Sequence, residues 1–321
     1  MLISMVFAYE LVTKQVQSTM HNLKTNFNKF SKLVDSFLAD ILNADRNFRL
    51  YPNSPRIVDA DILALSLCAE AMSIDSENYF WSKLITDHKA DFPALIDRSN
   101  FNRRKRALAP FFQMYNDRVA AHLNECENAY IVDSMPVPIC NIARAGRLRI
   151  CSESLQSAPD KGYSAITKSW FFGYKLHLVT SVRGVVNSFQ LSKASVHDLH
   201  FLDEIKTGTL NNCVLLGDKG YISKEQQTDL FSTAKVELAV PMRSNQKDHK
   251  PYPYIFKRFR KRIETQFSQL CDQFVMKRNY AKTYNGLCTR IISKIAAFTS
   301  LQYLNVLNGR PLNHVKHALA A

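Results

Sequence analysis

The nine residues Cys213–Tyr221, reading C-V-L-L-G-D-K-G-Y, constrain this chain more than any other stretch. Four uninterrupted apolar residues closed by Gly217 read as a short buried strand, and Asp218 follows just past its carboxyl end. Open α/β sheets present their chemistry at such strand ends. Asp is equally an ordinary turn residue, and Gly-Asp-x-Gly makes a fair turn unaided. The stretch therefore matters chemically only if partners exist, because phosphoryl transfer with two metal ions needs several carboxylates converging on one point.

Upstream of Ala129 the chain reads as helical. Leu23, Phe27, Phe30, Val34, Phe37 and Leu38 recur at helical spacing. Pro52 and Pro55 end that segment, and Asp59 or Asp61 precedes a second helix from Ile62. A third covers about residues 77–88, and after Pro93 a fourth opens near Ser99 and runs to about Glu125. No glycine occurs before Gly146. Residues 20–125 are thus expected to form an all-helical domain. The fourth helix opens with Arg103, Arg104, Lys105 and Arg106. Helices ending in one with a basic first turn resemble a helix-turn-helix DNA reader, and a solvated basic face fits those residues equally well.

Residues 1–19 lack a basic start and carry Glu10 and Lys14, so they do not read as a signal peptide. Met20 is an alternative start, which would make them an extension. Charges interrupt every apolar run well before the roughly 18 residues of a membrane span. The seven cysteines show no C-x-x-C pair and no zinc spacing, and read as reduced thiols of a cytoplasmic protein.

From Ala129 the texture changes. Tyr130-Ile-Val-Asp-Ser reads as a strand ending at Asp133, and residues 141–168 as a long basic loop. Phe172, Tyr174, Leu176 and Leu178 alternate with a second set, a period-two strand, and Arg183-Gly184 turns into another over Val185–Leu191. A helix over residues 199–205, the central strand, a helix from Lys224, a strand from Val236 and a helix from about Ile255 complete the series. This order is that of the ribonuclease H-like fold, a mixed sheet with helices on its faces. The expected class is α+β: a ribonuclease H-like catalytic domain over residues 126–321, with C-terminal helices, behind the all-helical N-terminal domain.

In that layout Asp133 and Asp218 end neighbouring strands. Glu264 lies on the last of these helices, beside Ile263 of its apolar stripe, amid basic residues. A surface Glu paired with Arg260 four residues earlier is the plainer account of Glu264 taken alone. Three acids in one layout suit Mg²⁺, a hard cation that takes oxygen ligands. Two such ions about 3.5–4 Å apart activate an attacking oxygen and stabilise a leaving one. The chain has 42 Lys plus Arg against 28 Asp plus Glu, a formal charge of +14. That favours a polyanionic partner, nucleic acid ahead of a membrane surface.

Four segments in order carry a resemblance: Ile131-Val-Asp-Ser-Met-Pro-Val, Gly173-Tyr-Lys-Leu-His, Leu216-Gly-Asp-Lys-Gly-Tyr, and Arg262-Ile-Glu-Thr-Gln-Phe-Ser-Gln-Leu. Together they resemble bacterial insertion-sequence DDE transposases, most of all the insertion sequence 982 family, over roughly residues 20–305. The resemblance implies a ribonuclease H-like core that cuts DNA at the insertion sequence's ends and joins a 3′-hydroxyl to target DNA. It implies Asp133, Asp218 and Glu264 as catalytic and metal-binding triad, with two Mg²⁺ ions for which Mn²⁺ substitutes. The implied partner is double-stranded DNA, as terminal inverted repeats and as target, and pairing two ends makes a homodimer the expected form of the complex. The chain departs from the wider class around the Glu: Lys257 stands where many relatives have Tyr, Arg260 keeps the Arg, and Cys271 stands near the place of a Lys.

Other residues divide between two readings. His197-Asp198 fits a metal or acid/base pair, and also a helix start capped by Asp198. His177 reads as a satisfied sheet histidine. Ser134 lacks the elbow motif and activating base of a nucleophile. Lys219 lies beside Asp218 and is a candidate phosphate contact. Arg243, Lys247, Lys250, Lys257, Arg258, Arg260, Lys261 and Arg262 crowd into twenty residues, a density that suits a phosphate backbone. A purely hydrolytic nuclease of the same fold and a non-catalytic DNA-binding regulator are the rival readings.

Overall fold

The computed structural model describes residues 22–208, 210–242 and 253–319. The expected N-terminal extension (residues 1–19) and the part of the basic connection carrying Arg243, Lys247 and Lys250 lie outside them. The chain divides into two compact units. One takes the chain up to Val119, with Gln273–Val275 and the chain from Thr289; the other is Ala120–Asp272 with Met276–Cys288.

The first unit is helical. Helix α1 (Leu23–Phe37) buries Leu23, Phe27, Phe30, Leu33 and Val34 on one stripe. Helix α2 (Asp59–Ala71) carries Ala, Leu and Ile all round and is buried along most of its length, as a central helix must be. Helix α3 (Glu77–Asp87) starts where Ser76 Oγ accepts the N–H of Tyr79. The expected fourth helix is two: α4 (Arg98–Ala107), capped by Asp97, and α5 (Ala109–Leu123). The break falls at Leu108, because Pro110 cannot donate to the preceding turn and is tolerated only in a helix's first turn.

Helix α9 (Tyr284–Leu307) contributes its later residues to this unit. Its Lys294 donates to Glu70 at 2.6 Å, Tyr115 and Ser300 share a hydrogen bond, and Thr299 donates to Asn116. Such buried polar contacts explain why residues after 288 pack with the helices, whereas the sequence places them with the sheet.

The second unit is built on a six-stranded mixed sheet, β1 (Ala129–Cys140), β2 (Asp160–Ser164), β3 (Ser169–Ser181), β4 (Val186–Lys193), β5 (Cys213–Leu216) and β6 (Val236–Ala239). The path is β2-β3-β1-β5-β6, with β4 also paired to β3. β3 runs antiparallel to β1, β2 and β4, while β5 runs parallel to β1 and β6. Along the edge of β3 away from β1, β2 pairs with residues 169–173 and β4 with residues 174–180. Gly173 has φ +155 at the β1 bulge, and a Cβ there would run into the Val137 carbonyl.

Helices α6 (Phe201–Lys206) and α7 (Lys224–Ala234) cover one face. Their Phe201, Leu202, Ile205 and Leu230 pack with Tyr130, Val132, Val179 and Leu215 of the sheet. Helix α8 (Tyr254–Asp272) packs beside β1 through a stripe in which Ile263, Gln266 and Leu270 are buried. Gln266 Nε2 donates to the Gly184 carbonyl in the β3–β4 turn. A mixed α+β sheet with this strand order fits a ribonuclease H-like core.

Two expectations need correction. Asp133 does not end its strand, because β1 continues to Cys140 as the antiparallel partner of β3. Residues 141–168 are not a single loop, since they hold a 3₁₀ turn at Ile142–Arg147 and strand β2.

Candidate active site

Strand register brings Asp133 and Asp218 together. The parallel ladder between β1 and β5 ends at the pair Ile131 and Leu216. Each aspartate lies two residues beyond its member of that pair, and adjacent strands sit about 4.8 Å apart. By two-residue alternation Asp133 shares the face of Ile131, opposite the Tyr130 and Val132 cluster.

Local bonds fix each carboxylate. Asp133 Oδ1 accepts the Ser134 N–H at 2.8 Å. Asp218 caps the 3₁₀ turn Lys219–Tyr221, its Oδ1 accepting the Gly220 N–H at 2.7 Å. A Cβ at Gly220 would stand 2.9 Å from that oxygen and 3.9 Å from Asp198 Oδ2, so only glycine leaves this small cradle open.

Burial raises the Asp133 carboxyl to about 7. The Ser134 N–H pulls it down, the charges of Asp218 and Asp198 push it up, and Arg260 pulls it down again. An approaching cation would relieve both the burial and the repulsion.

Asp198 enters from the 3₁₀ turn Asp198–His200. The cap expected of it is made instead by His197, whose Nδ1 accepts the Leu199 N–H at 3.2 Å. Asp198 is thereby left to the side chain of Lys175 on β3, at 2.9 Å, and the same ammonium donates to the Val196 carbonyl at 2.7 Å. Lys175 lies within the Gly173–His177 motif, yet a strand lysine reads in sequence as a solvated edge residue.

His177 faces Ser134 across the β1–β3 ladder, but its Nε2 is 2.8 Å from Ser192 Oγ and its ring stacks on Phe201. Burial lowers it to about 4, with Asp198 opposing and Lys175 adding to the shift. A neutral, engaged imidazole is a sheet histidine and not a base for Ser134.

Glu264 is exposed on α8, one turn beyond Arg260. It is Arg260, half-buried, whose charge bears on Asp133. Among the described residues no three or more Asp, Glu, His or Cys side chains converge into a metal-holding group. The structure brings together two of the three expected acids, and adds Asp198 beside them.

The basic candidates separate by burial. Lys219, Lys257, Arg258, Lys261 and Arg262 are exposed. Of the four basic candidates on α4, Arg103 and Arg106 are exposed. Arg104 donates to buried Asp59 at 2.6 Å and to the Ile57 carbonyl at 2.5 Å, and Lys105 is buried 3.7 Å from Glu70. The basic cluster also lies in the last turn of α4, not the first, so Arg104 and Lys105 hold the helical unit together instead of facing outward.

Residues 123–281 match the family model for the transposase DDE domain. Over this stretch the chain is similar to DDE-type transposases. The stretch contains the whole sheet, Asp133, Asp218, Glu264 and the basic helix α8. No curated protein and no solved structure matches the chain. Among the described residues no helix is long and apolar enough to cross a membrane.

Proposed function

We propose that this chain is a DNA transposase that cleaves phosphodiesters at the ends of an insertion sequence and joins the freed 3′-hydroxyl to target DNA. The observation that carries the reading is the pairing of Asp133 and Asp218 within a stretch matching a transposase DDE domain.

The residues present fit a divalent cation. Asp133 and Asp218 offer hard carboxylate oxygens, and Mg²⁺ is commonly held by one or two carboxylates with waters and substrate phosphate completing its shell. The cradle above Gly220 leaves room beside Asp218 Oδ1. Asp133 and Asp218 would hold the metal, with Glu264 the third residue that the family resemblance assigns. When bound, two such ions supply activation of the attacking oxygen and stabilisation of the leaving one. The chain's own residues fix the geometry: the Ser134 and Gly220 N–H groups hold one oxygen of each aspartate and leave the other available. Arg260 offsets negative charge at Asp133. Exposed Lys257, Arg258, Lys261 and Arg262 present a cationic helix surface to a phosphate backbone. Arg103 and Arg106 on the helical unit would add contacts to the terminal repeats, and two ends held together would call for two copies of the chain.

The test is cleavage and joining of a labelled duplex carrying the insertion sequence's own end, with Mg²⁺ or Mn²⁺, comparing the unaltered protein with Asp218→Asn and Glu264→Gln. Metal-dependent joined products from the unaltered protein, lost in Asp218→Asn, are expected. Nicking without joining would point to a hydrolytic nuclease. DNA binding with no change to the DNA in any sample would point to a regulator.

A further inference from the structure

We propose that the ribbon of β2 and β3 is a DNA-binding arm, in which Tyr163 and Trp170 lie against the duplex and Lys161 and Lys168 meet its phosphates. The inference rests on the transposase reading and adds to it a DNA-contacting surface apart from the two aspartates and helix α8.

The ribbon runs on past its neighbours in the sheet. The ladder between β1 and β3 ends at Cys140 and Phe172, and β4 pairs only from Tyr174 onward, so Ser169–Phe171 pair with β2 alone. A two-stranded ribbon is marginal by itself, and this one is held from one side. On that side Gly162 lies opposite Phe171, so close beneath Ala194 that a Cβ would stand 2.6 Å from the Ala194 carbonyl oxygen. On the other side Tyr163 lies opposite Trp170, the two rings meeting edge to face at 5.4 Å. Such a cross-strand pair steadies a ribbon. Yet Tyr163 remains 51% and Trp170 63% exposed, and Ile166 in the turn beyond them is 91% exposed.

Charge and direction say what covers these rings. Lys161 and Lys168 on the ribbon are exposed, and the 3₁₀ turn bearing exposed Arg144 and Arg147 packs on β3. From Asn141 to Trp170 the basic residues Arg144, Arg147, Arg149, Lys161 and Lys168 stand against only Glu153 and Asp160, a balance that suits phosphates. Amphipathic rings bordered by cations fit the mixed apolar and charged surface of DNA, and a two-stranded ribbon fits its major groove. The strand register aims the arm. By two-residue alternation Trp170 lies on the face of β3 that carries Leu178, the cross-strand partner of Asp133. The strand between Trp170 and Leu178 spans roughly 26 Å, the rise of about eight base pairs. A duplex cut at Asp133 and Asp218 would therefore meet the arm within one helical turn of the cut.

The test reads the fluorescence of Trp170. The chain has 2 tryptophans, and the other, Trp81, is 6% exposed, so Trp170 supplies the solvent-accessible emission. The full chain is titrated, without metal, with a duplex carrying the insertion sequence's own end. DNA anisotropy and acrylamide quenching of tryptophan are followed for the unaltered protein, for Trp170→Phe, and for Lys161→Gln combined with Lys168→Gln. Binding is expected to cut acrylamide access about threefold, a change absent from Trp170→Phe, and the lysine pair should lower the salt slope by about two. Anisotropy that reports binding by the unaltered protein while acrylamide access stays the same would overturn this inference alone. Shielding that grows with protein concentration before DNA is added would give the ribbon to a second copy of the chain, and would overturn it too. No binding of the duplex by any of the three proteins would remove the transposase reading beneath it, and the arm with it.

Discussion

Asp133 and Asp218 lie in step, each two residues past Ile131 and Leu216, the last pair of the parallel ladder between their strands. This relation is set by backbone pairing, not by contact between the carboxylates, so it survives substitution of either side chain. Asp133→Asn and Asp218→Asn should therefore fold and lose cleavage. With several kcal/mol of charge stabilisation at stake, each should lose activity on the order of 10³-fold. The double variant should be scarcely worse than either single one, because residues acting as a unit are non-additive. Single-turnover cleavage of an end-bearing duplex measures all three.

Asp133 also makes a prediction about stability. Its folded carboxyl titrates at about 7, raised mainly by burial, against about 3.9 for an unfolded Asp. The folded state thus binds the extra proton between those values, and stability falls as pH rises through that window. Asp133→Asn removes the penalty, which is on the order of 4 kcal/mol and fully present above pH 7. The variant should melt several degrees higher than the unaltered protein at pH 8, with the gap closing toward pH 4. A constant gap across that range would sink the argument. Melting curves without added metal decide it.

Gly220→Ala separates stability from chemistry. Gly220 has no left-handed φ, so alanine fits the backbone and trims unfolded-state entropy, a gain of about 0.4–1 kcal/mol. Its methyl would meet Asp218 Oδ1 at 2.9 Å, a side-chain end that can swing away. The melting temperature should hold or rise slightly while cleavage drops at least tenfold. Loss of both together would mean that the turn, and not the carboxylate, had given way.

Much of this core is legible in sequence because local signals agree with the tertiary answer. The run Cys213–Leu216 ends at Gly217 with its aspartate beyond, as its composition implies. The end of β1 is not legible, since Pro136 and Pro138 read as a strand break. They are accommodated because β1 has no β5 partner past Ile131, leaving that edge without a ladder needing their N–H groups. β2 escapes notice because Asp160-Lys-Gly-Tyr-Ser has no apolar alternation, being an edge strand. Arg104 and Lys105 mislead for a different reason: their buried partners Asp59 and Glu70 lie in α2, and nothing local to α4 announces them. Lys175 matters through neighbours that only the folded sheet supplies.

Within the helical unit, Lys294 and Glu70 are both nearly inaccessible and meet at 2.6 Å, with Lys105 3.7 Å from the same carboxylate. Removing one member strands a buried charge, which typically costs about 3–5 kcal/mol. Lys294→Met should lower stability by that order, while Lys294→Met with Glu70→Gln should recover part of the loss. Urea unfolding of the three proteins tests this, and a double variant no better than the single one would contradict it.

The burial pattern of the basic residues leads to a prediction about DNA affinity. Each phosphate neutralised by Lys or Arg releases counterions, so the slope of log affinity against log salt reports the number of contacts. Helix α8 carries Lys257, Arg258, Arg260, Lys261 and Arg262 against Glu264 and Asp272, and Arg258 and Lys261 are exposed. Neutralising Arg258 and Lys261 to Gln should reduce the salt slope for end-bearing duplex by about two, roughly one per residue, with little change in melting temperature. Arg104→Met should behave in the opposite way. Its guanidinium is tied to Asp59, so the variant should lose stability while the folded fraction keeps the original salt slope. Fluorescence anisotropy across a salt series, paired with melting curves, separates the two classes. An unaltered slope in the α8 variant would move the DNA to another face of the domain.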